Sequence, residues 1–511
     1  MKKLVRIKSG ILVTIIFTLS INLHSQIFSK TNDVYPEKRE VLDYLNQADI
    51  VEKFGKISDA IWSYAELGLQ EFKSVELLSR ILEEEGFSIE MGLAGMPTCF
   101  VAEYGTGKPV IGVLMEFDAL PMMSQKGRIP YQSPLIEGAP GHACGHNMMA
   151  AASVASAIAV KRSIELYNIQ GTIKVFGSPA EEMLISRPYM IREGLFKDVD
   201  VVIDNHSGPY FQTSYGTGGS AAYSVIFSFK GESAHSSVVP WNGRSALDAV
   251  EIMNVATNFL REHLHYSTRL SYIIKDGGQA PNVVPDMASV HYVIKDNDER
   301  LLNTYERVVN CAKAAALATG SELFKIQFVS AVHQQYSNKA LAELLQRNME
   351  IVGMPEWTEE EHEFAREIQK NVEVKETGMP LKVNPLKKPS ETFVGGGSSD
   401  VGDVTLIAPT ATLRFPGLIP GSISHHWSTV SATYGSAAWK GLNAGAKAIA
   451  ASAIDLLTQP EELKKIRTEF EEYSKDHPYE SFLPEDAVPP LDLNKKLMEK
   501  WRYMMEEHYI D

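Results

Sequence analysis

The sequence predicts an α/β fold in which a mixed-sheet domain is interrupted by a smaller inserted domain. Three observations predict it. Pro109–Phe117 (PVIGVLMEF) is a nearly continuous apolar run, the pattern of a strand covered on both faces. Thr172–Phe176 and Val199–Ile203 are further short apolar runs that alternate with helical segments, as in a parallel sheet. Between Gly219 and Val332 the pattern changes to strand, helix, two strands, helix, strand, the ferredoxin-like (βαββαβ) order. The chain therefore divides into a leader at 1–25, a main domain at 26–218 and 333–511, and an insert at 219–332.

With 511 residues, 44% hydrophobic and 22% charged, the chain is long enough for two or three domains. Lys and Arg total 49 against 64 Asp and Glu, a formal charge of −15. That balance argues against nucleic-acid binding, which needs clustered cations, and it identifies no substrate. Residues 1–25 read as a signal peptide. Lys2, Lys3, Arg6 and Lys8 precede an apolar run, Ile11–Ile21, that is short for a membrane span, and Ser25-Gln26 is a cleavage point. An uncleaved anchor is the alternative. The expectation is export to the periplasm or medium, with no stable membrane insertion after the leader is removed. Of the three cysteines, Cys99 and Cys311 are expected to be buried and reduced. Cys144 differs because of its neighbours.

Taken in order, Val51–Leu67 and Lys73–Gly86 carry helical spacing, the second stopped by its glycine. Met91–Glu103 is irregular to extended. The Pro109–Phe117 strand ends at Asp118-Ala119-Leu120-Pro121, at the sheet edge where open α/β folds build sites. A polar Gly/Pro-rich loop leads to Cys144 and then to a helix of small residues beginning at Met148, able to lie close to the sheet. The next two strands deliver Glu181-Glu182 and His206 to the same edge. In the insert, strands at Ala222–Lys230, Ser271–Lys275, Ser289–Lys295 and Phe324–Val329 flank helices at Gly243–Leu264 and Asp298–Thr319. Helices resume at Lys339–Val352, a charged stretch runs from Glu356 to Lys388, and Ala437–Leu457 is an alanine-rich helix. Gly395-Gly396-Gly397-Ser398-Ser399-Asp400 lacks the ending and the preceding strand of a phosphate cradle, and reads as a flexible loop.

The chemistry concentrates in Gly141-His142-Ala143-Cys144-Gly145-His146-Asn147, where a thiol and an imidazole stand two residues apart between glycines. Glu181-Glu182, His206 and the doublet His425-His426 follow. Singly, each has an ordinary explanation as a packed or solvated side chain. Together they supply the sulfur, nitrogen and oxygen donors that a cation such as zinc prefers. Ligands two residues apart point one way only on an extended segment, which the glycines permit. A thiolate shared by two cations stays deprotonated. The second glutamate then serves as a ligand, and the first takes a proton from the attacking water and passes it to a leaving amine. The pattern points to a two-metal amide hydrolase. A non-catalytic binding protein with the same fold is the reading from another class, and it requires a lost ligand or base.

These motifs resemble the dinuclear metallopeptidase and amidohydrolase family that includes aminoacylases, hippurate hydrolases and auxin-conjugate hydrolases. The resemblance includes Glu116-Phe117-Asp118-Ala119-Leu120-Pro121, the Cys144 segment, Phe229-Lys230-Gly231 with His235, Gly243–Ala249, Ala280–Val284 and Ser399–Val404. It implies that Cys144, His146, Glu182, His206 and His425 hold two divalent metal ions per subunit, zinc or manganese, with Glu181 as general base. His425 is preferred to His426 because the related pattern is histidine, one residue, then tryptophan, here His425-His426-Trp427. Where peptidase branches have His-x-Asp this chain has Glu116-Phe117-Asp118, which makes Asp118 a support behind the ligands. Asn147 stands where other members carry an aspartate. The insert matches the family's dimerisation or lid domain. From it, His235 of the partner subunit is implied to steady the oxyanion, and Asn282 to contact substrate. The implied reaction is hydrolysis of an N-acyl or N-aroyl amino acid, aminobenzoyl-glutamate-like, in a homodimer or with a related second subunit. An exported dipeptidase or carboxypeptidase is the alternative.

Overall fold

The computed structural model describes residues 34–510 apart from 391 and 394, so the signal-peptide reading lies outside the described residues. The strands are, in chain order, β1 (Ser88–Met91), β2 (Phe100–Thr106), β3 (Val110–Met115), β4 (Gly171–Gly177), β5 (Val201–Gly208) and β6 (Gln212–Thr213). They continue as β7 (Gly216–Gly218), β8 (Ala221–Lys230), β9 (Arg269–Asp276), β10 (Met287–Asp296), β11 (Glu322–Val332), β12 (Gln335–Ser337) and β13 (Thr410–Pro416).

The main sheet has seven strands in the order β1-β2-β4-β3-β5-β13-β6. Its centre, β4-β3-β5-β13, is parallel, and its margins are antiparallel. All six residues of β3 are buried, which is why this strand reads as an unbroken apolar run. The His146–Tyr167 helix lies against the sheet, and the Ser436–Thr458 helix packs on it. Runs such as Ala150-Ala151-Ala152 keep that first helix apolar nearly all round and let its neighbours approach closely. Met91–Glu103 runs from irregular to extended as expected: it leaves β1 at Met91, turns through Leu93–Gly95 and enters β2 at Phe100, which pairs with β1 at the sheet margin. The charged stretch after Glu356 contains the Glu359–Asn371 helix, started by a capping box between Thr358 and Glu361.

The second sheet is antiparallel, in the order β11-β8-β10-β9, with the Ala246–Leu260 and Asp298–Thr319 helices connecting its strands. Alternation along β10 explains its placement. Val290, Tyr292 and Ile294 are buried in the core shared with those helices, whereas His291, Val293 and Lys295 face a cavity that the main sheet's site residues also line. The parallel strands point their carboxyl ends into the same cavity, where open α/β sheets bind ligands. Among the described residues, no helix is long and apolar enough to cross a membrane.

Candidate metal centre

Gly145 turns the chain between the two central donors. Its φ is 82°, and a Cβ there would strike the Ser207 hydroxyl, so glycine is needed for the step from Cys144 into the helix that begins at His146. The Ser207 hydroxyl donates to the Cys144 carbonyl at 2.8 Å, fixing the turn to β5. Cys144 Sγ then lies 3.5 Å from His206 Nε2, while His206 Nδ1 donates to the Ser207 carbonyl at 2.6 Å.

His146 is fully buried. Its Nδ1 meets Asp118 Oδ1 at 2.9 Å, and its Nε2 faces Glu116 Oε2 at 3.3 Å, Glu181 Oε2 at 3.8 Å and Glu182 Oε1 at 4.0 Å. The other Asp118 oxygen accepts the Glu182 backbone N–H at 3.0 Å, so one carboxylate at the end of β3 orients both His146 and Glu182. Glu181 and Glu182 sit on a single turn between Ala180 (φ 56°) and Leu184 (φ 58°). The Ala180 N–H donates to buried Glu71 at 2.9 Å and anchors that turn. His425 Nε2 lies 3.4 Å from Glu182 Oε2. His426 instead turns to Ser428, its Nδ1 3.0 Å from the hydroxyl, and caps the Trp427–Ala432 helix.

The donors fall into two groups, Cys144–His146–His206 and Cys144–Glu182–His425, each with donor atoms within 4.8 Å of one another. Cys144 belongs to both, and Glu116, His146 and Glu181 form a third such group. The residues fit divalent cations on their own evidence. His146 Nε2 and Glu182 Oε1 are buried without a hydrogen-bond partner, which is costly unless something else satisfies them. Burial pushes Glu182 and Glu116 each up to about 7 and the Cys144 thiol up to about 12. Glu181 is raised well above the ordinary carboxyl value by burial and then by Glu116. Burial, with Arg414 next, holds His206 far below the ordinary imidazole value. For His146 burial acts downward, but the charges of Cys144 and Asp118 outweigh it and raise the value. A cation among these groups favours ionised carboxylates and thiolate.

The supports behind the donors include several that the sequence does not announce. Arg187 is wholly buried. Its guanidinium reaches Glu116 Oε1 at 2.8 Å and also binds Asp400, which accepts the Arg187 backbone N–H at 3.0 Å and the Ser186 hydroxyl at 3.1 Å. Asn147 is a brace, its amide donating to Ser58 Oγ and the Thr433 carbonyl, each at 2.9 Å. His235 and Asn282 do not border the cavity of their own chain. They lie side by side in an exposed part of the insert, where His235 bridges Val283 and the Ser236 N–H donates to the Asn282 carbonyl at 3.2 Å.

Above the donors lies a cavity of about 670 Å³, a size suited to a small molecule. Cys144, Glu181, Glu182, His206 and His425 line it, as do Gly396 to Ser399. Fold and site together define the class: a metal-dependent hydrolase of amide bonds. The chain belongs to the peptidase family M20/M25/M40, whose model matches residues 113–426. It is 33% identical over 465 residues to the B-type subunit of p-aminobenzoyl-glutamate hydrolase from Escherichia coli (strain K12), covering 86% of this chain and 96% of that one. It is 28% identical over 449 residues to the Xaa-Arg dipeptidase of Mus musculus, covering 85% and 92%. Two solved structures share the fold. The aminobenzoyl-glutamate utilization protein from Klebsiella pneumoniae matches with a TM-score of 0.55 at 16% identity, over 80% of this chain and 97% of that one. A dinuclear metal-binding peptidase of the M20 family from Bacillus subtilis matches with a TM-score of 0.51 at 16% identity, over 80% and 99%.

Proposed function

We propose that this protein hydrolyses the amide bond of an N-acyl or N-aroyl amino acid resembling p-aminobenzoyl-glutamate, using two divalent ions, zinc or manganese. One observation carries the reading: Cys144 is shared by two donor groups, and Glu181 stands beside them outside both. Cys144, His146 and His206 would hold one ion and Cys144, Glu182 and His425 the other, with Asp118 orienting His146 and Glu182. When bound, such ions polarise a carbonyl and acidify water. Glu181 supplies the proton transfers. Its raised proton affinity suits a group that takes a proton from the attacking water and returns it to nitrogen as the C–N bond breaks.

The assembly we propose is a homodimer; pairing with a related but different chain is the alternative. The E. coli relative is one of two kinds of subunit, and its A-type counterpart is 25% identical to this chain over 272 residues. In support of a second copy, the edge strand β9 exposes Ile273 and Ile274, and the neighbouring Ala246–Leu260 helix exposes Val255 and Phe259. In such an assembly His235 of the partner subunit would steady the oxyanion and Asn282 would meet substrate. Export is proposed on the basic-then-apolar pattern of residues 1–25 alone.

The test is hydrolysis of p-aminobenzoyl-glutamate, several N-acyl amino acids and plain dipeptides by protein loaded with zinc or manganese, with Glu181→Ala as control. Metal-dependent cleavage of an acylated substrate is expected, falling by roughly 10²–10⁴-fold in the variant. Cleavage confined to dipeptides would replace this reading with the dipeptidase one.

A further inference from the structure

Two basic side chains line the cavity without any part in the chemistry above. Arg414 projects from β13, where it is the register partner of His206 on β5. Lys295 projects from the cavity face of β10, on the second sheet. The charge of Arg414 acts on His206 and Asp204, and that of Lys295 on Glu181 and His425, so both stand close to the donors. Neither makes an ion pair or hydrogen bond among the described residues. Asp204, the acid beside Arg414, accepts its bond from Thr412 at 2.7 Å instead.

Acids outnumber bases, 64 to 49, and carboxylates have been found by buried Lys38, with Asp455 at 2.6 Å, and by half-buried Lys440, with Glu361 at 2.8 Å, whereas exposed Arg414 and half-buried Lys295 have found none. A solvated surface face is the ordinary explanation for a free lysine or arginine, but here the two converge from different sheets on one cavity. Strands also hold their side chains more firmly than loops do.

Resting on the hydrolase reading, we propose that Arg414 and Lys295 form a two-point anion subsite that selects substrates whose amino-acid half carries two carboxylates. One carboxylate meets each cation. A substrate with a single carboxylate leaves one cation of the cavity without its partner, which disfavours its binding relative to a substrate that pairs both. The side chain of the released amino acid is therefore acidic, of the glutamate or aspartate kind. Because the cations come from the two sheets, such a substrate also ties the insert to the main sheet.

The experiment compares kcat/KM for N-(4-aminobenzoyl)-glutamate with that for N-(4-aminobenzoyl)-glutamine, which differ only by carboxylate against amide. Loss of one charged hydrogen bond corresponds to about 10- to 150-fold. The native protein is expected to favour the glutamate compound by that factor. Arg414→Gln and Lys295→Met are each expected to bring the ratio towards one, and Arg414→Lys and Lys295→Arg to retain most of it. Equal cleavage of both compounds by the native protein, or a ratio unchanged in both neutral variants, overturns the proposal.

Calorimetric binding of glutarate to the metal-loaded protein gives a readout independent of turnover. Glutarate binding that weakens in both neutral variants, without hydrolysis of any acylated compound, would uphold the subsite and remove the hydrolase reading. Hydrolysis without charge selectivity and without cation-dependent glutarate binding would do the reverse.

Discussion

The two halves of the candidate metal centre are built from different material. The half formed by Cys144, His146 and His206 rests on a helix start and a strand, with His146 wholly buried and held by Asp118. The half formed by Cys144, Glu182 and His425 rests on loops. Glu182 sits on one turn between two left-handed residues, and His425 is itself left-handed (φ 55°) with its side chain 50% exposed. A side chain on a regular element is held by the backbone ladder, whereas a residue at positive φ is held only by its surroundings. The deep position is therefore expected to bind its ion tightly, and the rim position to exchange it.

The largest break in that comparison comes from Cys144→Ala, which removes the donor common to both halves. Elemental analysis after dialysis against micromolar metal is expected to find both ions lost and hydrolysis abolished. Next, His425→Ala is expected to keep about one ion per chain while His146→Ala keeps fewer, since His146 supports the buried side of the site. Equal losses in the two variants would mean that the halves are equivalent.

A smaller effect sharpens the same contrast. With the metal chelated, Glu116 and Glu182 hold protons up to about 7, against an ordinary value of 4.5. Between those values the folded chain keeps protons that the unfolded chain has released. Stability of the stripped protein therefore falls as pH rises through that window and levels off above it. The metal-loaded protein, with its carboxylates already ionised, should show no such fall in melting temperature. The smallest effect belongs to His426→Ala. It should leave the metal content unchanged and cost about 1 kcal/mol or less, because His426 only caps a short helix.

Cys144, His146, Glu182 and His206 were legible from sequence because they follow a recognisable apolar strand or sit beside a glycine, whereas His425 was marked only by the resemblance of His425-His426-Trp427 to a family pattern. β3, β4 and β5 bring Asp118, Glu181, Glu182 and His206 to one edge, as their apolar runs imply. Cys144 and His146 announce themselves by spacing. Among the supports, Asp118 was legible from the Glu116-Phe117-Asp118 segment, but the Arg187 clamp was not. Arg187 lies in a short helix with no local pattern, and its partners Glu116 and Asp400 are far from it in the chain. Arg414 belongs to β13, which runs parallel beside β5 from a much later part of the chain. Lys295 was visible as one residue of an alternating strand, but its direction depends on which face of β10 the helices cover. Local pattern carries strands and turns, whereas a contact between distant segments leaves no trace in one sequence.

The Arg187 clamp has a consequence for how this protein can change. It joins Glu116, at the end of β3, to Asp400, at the root of the glycine loop, and removing one member strands a buried charge at roughly 3–5 kcal/mol. Three positions are thereby locked to one another, and none can drift alone. The loop just ahead of Asp400 is tethered more lightly, through hydrogen bonds of Gly396 and Gly397 to Ser220. Selection for a new substrate, natural or in the laboratory, will therefore find its variation along the roof of the cavity, while the bed beneath is inherited intact.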